Sequence, residues 1–346
     1  MRSVLFDLHE TAGARMVTVD GWDVPDVFSS LEAECAAAHH AAVVCDSSPL
    51  GRLRLTGRTR IDFMQRMSTN DLNSLRPGQG AATIFTTPLA RIIDRTVAYV
   101  RDDDVLMLTS RGALALVSNW LRKHIFFNDD VQVRDAAGEF SMLSIYGPTA
   151  SEIAARIAGQ AVDDLKLHAW RPAHGTLIVA RTDPIGGDGF HVLVVPDMLP
   201  GVWQAALAAG AVPLGERAFE LLRIEAGLPR YPHELSAAYI PLEVGLWGDV
   251  SFSKGCYTGQ EIIARMESRH KLAKQLVGLR AAAVIDAGAE LRAGGSSVGQ
   301  VTSAAIRPDG SSIALAVVKP AFAAPGTRLL LGEGSSQAEV VALPIG

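Results

Sequence analysis

Two stretches of the chain repeat the same order of hydrophobic spacings. In the first, Leu53 and Leu55 alternate with polar neighbours up to Gly57, and Phe63, Met64 and Met67 follow at helical spacing. In the second, Leu143 and Ile145 lead to Gly147, and Ile153 and Ile157 take the places of Phe63 and Met67. The period, 147 minus 57, is 90 residues, and it also matches Thr59 to Thr149 and Arg66 to Arg156. Each copy continues with two extended segments and a helix, at 96–100, 105–109 and 113–124, then at 177–181, 190–195 and 199–209. The order strand, helix, strand, strand, helix predicts two α+β modules of the split β-α-β kind.

Beyond His270 the pattern changes to short Val, Leu and Ile runs between glycines and prolines, as at Gly294-Gly295-Ser296-Ser297 and Pro325-Gly326. This texture predicts a C-terminal all-β barrel or sandwich of about five or six strands, beginning near Leu272.

Composition narrows the function classes. A chain of 346 residues exceeds the usual size of one hydrophobic core, so two or three domains are expected. Apolar residues make up 48% and charged residues 20%, and no apolar run approaches the roughly 18 residues of a membrane span. The first ten residues carry no signal-peptide pattern, so a soluble, cytoplasmic protein without membrane partners is expected. Cys35, Cys45 and Cys256 form no close pair, which argues against a disulfide framework or a structural zinc site. A net charge of -5 offers no field for a phosphate backbone, so direct nucleic-acid binding is not expected and the ligand is read as small.

The segment Ser253 to Glu261 is the sharpest local feature. Gly255 and Gly259 bracket the thiol of Cys256, and Ile262, Ile263 and Met266 continue at helical spacing. Cys256 is therefore expected just before a helix N-terminus, where the helix and Lys254 both favour a thiolate. A small residue under a tight turn is the competing reading. Cys35 and Cys45 lie in or beside an Ala-rich helix over 31–42 and read as core.

A second helix, beginning at Glu216, ends at Gly227-Leu228-Pro229. Glu225 in its last turn could accept two hydrogen bonds from a planar donor edge, but by spacing alone a solvated or ion-paired carboxylate is the better account. Gly186-Gly187-Asp188-Gly189 precedes a strand and reads as a hairpin turn. His39 and His40 lack a third ligand at a recognisable spacing and read as structural.

The run Lys254-Gly255-Cys256-Tyr257-Thr258-Gly259-Gln260-Glu261 resembles the signature of the YgfZ family of folate-binding proteins, which are related to mitochondrial iron-sulfur assembly factors. Ser68 to Leu72, Tyr146-Gly147-Pro148, Gly187 to Phe190, Arg223 to Gly227 and Pro241 to Leu246 resemble the wider glycine cleavage T-protein (aminomethyltransferase) superfamily. That resemblance implies a three-domain cloverleaf. Its first domain spans 1–50 and 138–271, its second 51–137, and its barrel 272–346. The cofactor implied is tetrahydrofolate or a derivative, bound by Asn70, Asp94, Arg223 and Glu225, with Glu225 on the pterin ring. Cys256, Lys254 and Asp94 become the candidate catalytic residues, with Gly255, Tyr257, Gly259, Gln260 and Glu261 completing the motif.

One departure bears on activity. T-proteins show two successive acids where this chain has Asp94-Arg95, and a guanidinium accepts no proton at neutral pH. The upstream tyrosine of that family is also missing, near Ala82. The leading expectation is a folate-binding accessory protein supporting iron-sulfur cluster assembly or repair and iron-sulfur-dependent tRNA modification, with folate and iron-sulfur client or assembly proteins as partners. The alternatives are a folate-dependent aminomethyltransferase and a non-enzymatic scaffold stabilised by folate.

Overall fold

A computed structural model describes residues 1–269 and 271–346. The repeated pattern folds as two sheets of matching strand order. The first runs Gly80–Thr86, Ile92–Val100, Asp104–Thr109, Gly51–Thr56, Gln132–Asp135. The second runs Trp170–Pro172, Ile178–Thr182, Asp188–Val194, Ser141–Gly147, Val43–Asp46, and adds Val212–Pro213 at its edge. Each carries two helices on its outer face, Arg60–Met67 and Leu114–Lys123 on one, Ala150–Ala158 and Leu199–Ala208 on the other. Phe63, Met64, Val117 and Leu121 seal the first helical layer, and Ile153, Ala154 and Trp203 the second. Each such large side chain contributes about 1.5–3 kcal/mol by leaving water.

Two glycines show how closely the modules correspond. Gly57 and Gly147 have φ of 106° and 116°, the left-handed side that favours glycine. A Cβ on Gly57 would lie 2.0 Å from Asp130 O, and one on Gly147 would lie 2.5 Å from Ala41 O. The same two carbonyls accept hydrogen bonds from Thr59 N–H and Thr149 N–H. Asp130 precedes the strand Gln132–Asp135 and Ala41 precedes Val43–Asp46, so the second sheet takes its fifth strand from upstream of the first. That strand is invisible to a simple repeat search because it is out of order in the chain.

The inner faces of the sheets meet. Val97, Tyr99, Leu106 and Leu108 pack against Met142, Ile178, Ala180 and Leu193. Beyond Lys271 the chain closes a six-stranded barrel, Gln275–Ala281, Ser312–Val318, Ser296–Ile306, Glu290–Ala293, Arg328–Leu331 and Gln337–Val341. The helix Glu216–Glu225 joins the layers to the barrel, with Leu221, Leu222 and Ile224 against Leu276, Ile313 and Leu315. No helix of the described residues is long and apolar enough to cross a membrane.

Candidate functional site

A cavity of about 570 Å³ opens where the two sheets, the helix Glu216–Glu225 and the barrel converge. Alternation along the strands decides which residues face it. Arg95, Val97 and Leu108 come from the first sheet, Tyr146, Thr182 and His191 from the second, and Phe219 and Arg223 from the helix.

The charged centre of the cavity is an ion cluster. Arg95 donates to Asp183 through Nη1 at 2.8 Å and Nη2 at 3.1 Å, and through Nε to Asp249 Oδ2 at 2.6 Å. This bidentate fork is the strongest common geometry for a guanidinium and a carboxylate. Burial alone would raise Asp183, but Arg95 outweighs burial and holds it below the usual carboxylate range. Opposite stands a neutral imidazole, since burial pushes His191 down to about 4 against the pull of Asp183.

A second network braces the rim. Arg111 is bidentate to Glu216 at 3.1 Å and 2.7 Å, and also reaches Asp20 at 2.9 Å on the hairpin Arg15–Val19/Trp22–Val27. Arg230 bridges Glu216 and Glu220 at 2.7 Å and 2.6 Å. Arg223 donates to Glu220, to Leu228 O at 3.1 Å and to Glu234 at 3.1 Å, and Glu234 in turn accepts from Ser303 of the barrel at 2.7 Å.

The residues singled out from the sequence fall in different places. Arg223 lines the cavity, with its guanidinium spent on bracing helix to barrel. Glu225, expected on the pterin ring, is not among the residues that line this cavity. Its carboxylate accepts from Arg307 at 3.0 Å and pairs with His39 at 3.2 Å. Residues two apart on a helix point about 200° apart, so when Arg223 faces inward Glu225 cannot.

Asp94 faces away from Arg95 and is fully buried behind the cavity wall. Its Oδ2 accepts from Ser110 N–H at 3.0 Å, its Oδ1 has no partner among the described residues, and burial pushes it up to about 7 against the Ser110 bonds. Asn70 is half-buried and not among the lining residues, donating to Ala82 O at 2.8 Å and Gly248 O at 3.4 Å.

The 254–261 motif clamps onto the first sheet. Lys254 Nζ donates to Ser68 O at 2.8 Å and Asn70 O at 2.6 Å, and burial lowers it to about 8 although Asp71 pulls the other way. Lys254 thus spends its charge on carbonyls. Thr258 N–H donates to Arg66 O, Thr258 O accepts from Thr86 Oγ1, and Tyr257 is buried. Gly259 has φ of 86°, and a Cβ there would lie 2.7 Å from Thr86 Oγ1 and 2.9 Å from Thr87 O. The helix Gln260–Arg269 follows, and Cys256 is left exposed.

Asp183, Asp249 and His191 escaped sequence reasoning. The hairpin turn at Gly186–Gly189 lies beside Asp183, and the Pro241 to Leu246 stretch leads to Asp249, so the flanking motifs were visible while the groups they deliver were not.

Comparison with known proteins gives a consistent pattern. The model described as the GCVT N-terminal domain matches residues 5–254, and that of the glycine cleavage T-protein C-terminal barrel domain matches residues 274–345. The chain is 33% identical to an aminomethyltransferase of Streptomyces coelicolor over 361 residues, covering 99% of this chain and 96% of that one. It is 32% identical over 326 residues to a chloroplastic protein of Arabidopsis thaliana described only as a transferase, covering 92% and 74%. The crystal structure of the glycine cleavage system aminomethyltransferase T of Bartonella henselae superposes with a TM-score of 0.90 at 22% identity, covering 99% and 97%, and shows the same fold.

Proposed function

This chain belongs to the glycine cleavage T-protein family, and on that premise we propose that it binds tetrahydrofolate in the central cavity and acts as a one-carbon transferase of the aminomethyltransferase type. Aminomethyltransferases of this family use tetrahydrofolate. The observation that carries the reading is the make-up of the cavity. Its volume falls in the range of roughly 300–1,000 Å³ usual for small-ligand sites. Val97, Leu108, Tyr146 and Phe219 offer apolar walls for a flat ring, and Asp183 and Asp249 offer acceptors for a ring edge rich in N–H groups. The residues present therefore fit the cofactor.

When bound, tetrahydrofolate supplies the nucleophilic nitrogen that receives the one-carbon unit. The protein's part is to hold the ring, keep Asp183 ionised, aim both Asp183 and Asp249 through Arg95, and exclude water. Arg95 cannot take a proton, and the two carboxylates it holds, Asp183 and Asp249, are engaged in its ion pairs. Asp94, which accepts from Ser110 N–H, is the carboxyl we assign to the base role, and Asn70 donates to Gly248 O. Calorimetric titration with tetrahydrofolate tests the reading. Asp183→Asn, with folding checked by circular dichroism, should weaken binding by about 1.5–3 kcal/mol, the range for a hydrogen bond to a charged group. A change below twofold removes Asp183 from the site, and no binding to the unaltered protein ends the reading.

A second reading rests on the motif. Lys254, Tyr257, Thr258 and Gly259 all serve the clamp, whereas Cys256 is exposed. This supports a thiol that serves iron-sulfur assembly or repair, or iron-sulfur-dependent tRNA modification, with client proteins as partners. The comparisons favour the transferase reading. Cys256→Ser should then abolish support of an iron-sulfur tRNA-thiolating enzyme in cells while folate binding stays intact. Normal client activity in that variant would rule the accessory role out.

A further inference from the structure

A row of polar side chains crosses the inner face of the second sheet, where an apolar surface would be expected between packed layers. His191, Ser144 and Cys45 are register partners on three adjacent strands, and Ser47 follows just past the last of them. Ser144 Oγ lies 2.8 Å from His191 Nδ1 and 2.5 Å from Ser47 Oγ, and Ser47 Oγ lies 3.8 Å from Cys45 Sγ. His191, Ser47 and Cys45 line the cavity, while Ser144 is fully buried behind them. The row therefore starts and ends on the same cavity.

Its members are hydroxyls, a thiol and a neutral imidazole, each of which donates and accepts. Burial pushes the Cys45 thiol up to about 12, although Ser47 pulls it back, and the little surface it exposes faces the cavity. The imidazole is neutral as well, and the titratable groups facing it are Asp183, held by Arg95, and His168, itself lowered by burial. His191 Nε2 accepts no hydrogen bond from the described residues, which leaves it to the cavity.

We propose that His191, Ser144 and Ser47 form a neutral proton wire for the ligand cavity, a role that rests on the reading of that cavity as a tetrahydrofolate site. In one passage, Nε2 takes a proton from a ligand N–H and Nδ1 passes its own to Ser144. Ser144 passes one to Ser47, and Ser47 returns one to an acceptor on the same ligand. Each group loses one hydrogen and gains one, so no ion remains in the wall and no further reactant is needed. The wire supplies what the clamped carboxylates cannot.

Nitrogen NMR on protein labelled at histidine tests this. With tetrahydrofolate bound, His191 should be neutral at pH 7 with its proton on Nδ1, which leaves Nε2 as acceptor. Ser144→Ala should lose that single tautomer, and Ser144→Thr should restore it. Ser47→Ala keeps the Ser144 contact, yet should slow exchange of the imidazole proton with deuterated solvent several-fold. An imidazolium at pH 7, an unchanged tautomer in Ser144→Ala, or unchanged exchange in Ser47→Ala would each overturn the wire. Failure of tetrahydrofolate to bind is read separately by calorimetry. The tautomer and exchange measurements on the free protein then still decide whether the wire exists.

Discussion

Arg95 reaches from the first sheet to grip Asp183 at the end of a strand of the second, through two parallel hydrogen bonds of 2.8 Å and 3.1 Å. The pair ties the two modules together at the cavity and holds Asp183 in a bidentate ion pair.

Replacing Arg95 by Leu strands two largely buried carboxylates, Asp183 and Asp249. Breaking a buried pair costs about 3–5 kcal/mol, so urea denaturation at pH 7 should show a loss of that order. Asp183 is held below its ordinary value, so the stability from its pairing is present above the carboxylate range and fades as pH falls through the folded-state value. The deficit should therefore shrink in acid, and a deficit that stays constant to pH 3 would contradict this.

Aminomethyl transfer from a lipoyl-bound donor to tetrahydrofolate should be at least about 10²-fold slower than in relatives that keep a free acid, the usual scale of general acid–base assistance. Titration of the same preparation with tetrahydrofolate separates lost chemistry from lost binding. A rate matching those relatives would show that Arg95 does not block the step.

Asp94→Asn should stabilise the protein more at pH 8 than at pH 5. Burial raises Asp94 from 3.8 to about 7, so between those values the folded state holds a proton the unfolded state lacks, and stability falls as pH rises. At 1.36 kcal/mol per unit the penalty reaches roughly 4 kcal/mol above pH 7. Equal midpoint shifts at the two pH values would mean that Asp94 is ionised in the fold.

Among the three thiols Cys256 should alkylate first under brief iodoacetamide treatment, because it is exposed and the other two are not. Burial pushes Cys35 and Cys45 up to about 12, which leaves about one part in 10⁴ as thiolate at pH 8. Mass spectrometry ranks them, and early labelling of Cys45 would mean that the cavity admits the reagent and activates the thiol.

Gly259→Ala should loosen the clamp, because φ of 86° and the approach to Thr87 O both oppose a side chain. A strained backbone position costs about 1–3 kcal/mol. Hydrogen exchange should rise at Thr258, whose N–H is held by Arg66 O, and protection equal to the unaltered chain would show that the clamp tolerates the change.

What the sequence determined by itself was the local and the repeated. Period-two and period-3.6 spacings placed Gly51–Thr56 and Arg60–Met67, and the ninety-residue offset matched them to Ser141–Gly147 and Ala150–Ala158, because burial of one face is written into neighbouring residues. Glycine and proline punctuation likewise placed the barrel strands after Lys271. Only the tertiary structure decided which face of each element met the cavity. Asp94 and Arg95 are neighbours on one strand and must point to opposite sides, and Arg223 and Glu225 diverge around one helix. Which of each pair lines the site depends on what packs against the other face. Asp183 and Asp249 lie far from Arg95 in the chain, and their hydrogen bonds to it exist only because the two sheets close around the same cavity, while Ser144 and His191 meet as register partners on strands of the second sheet that are distant in sequence.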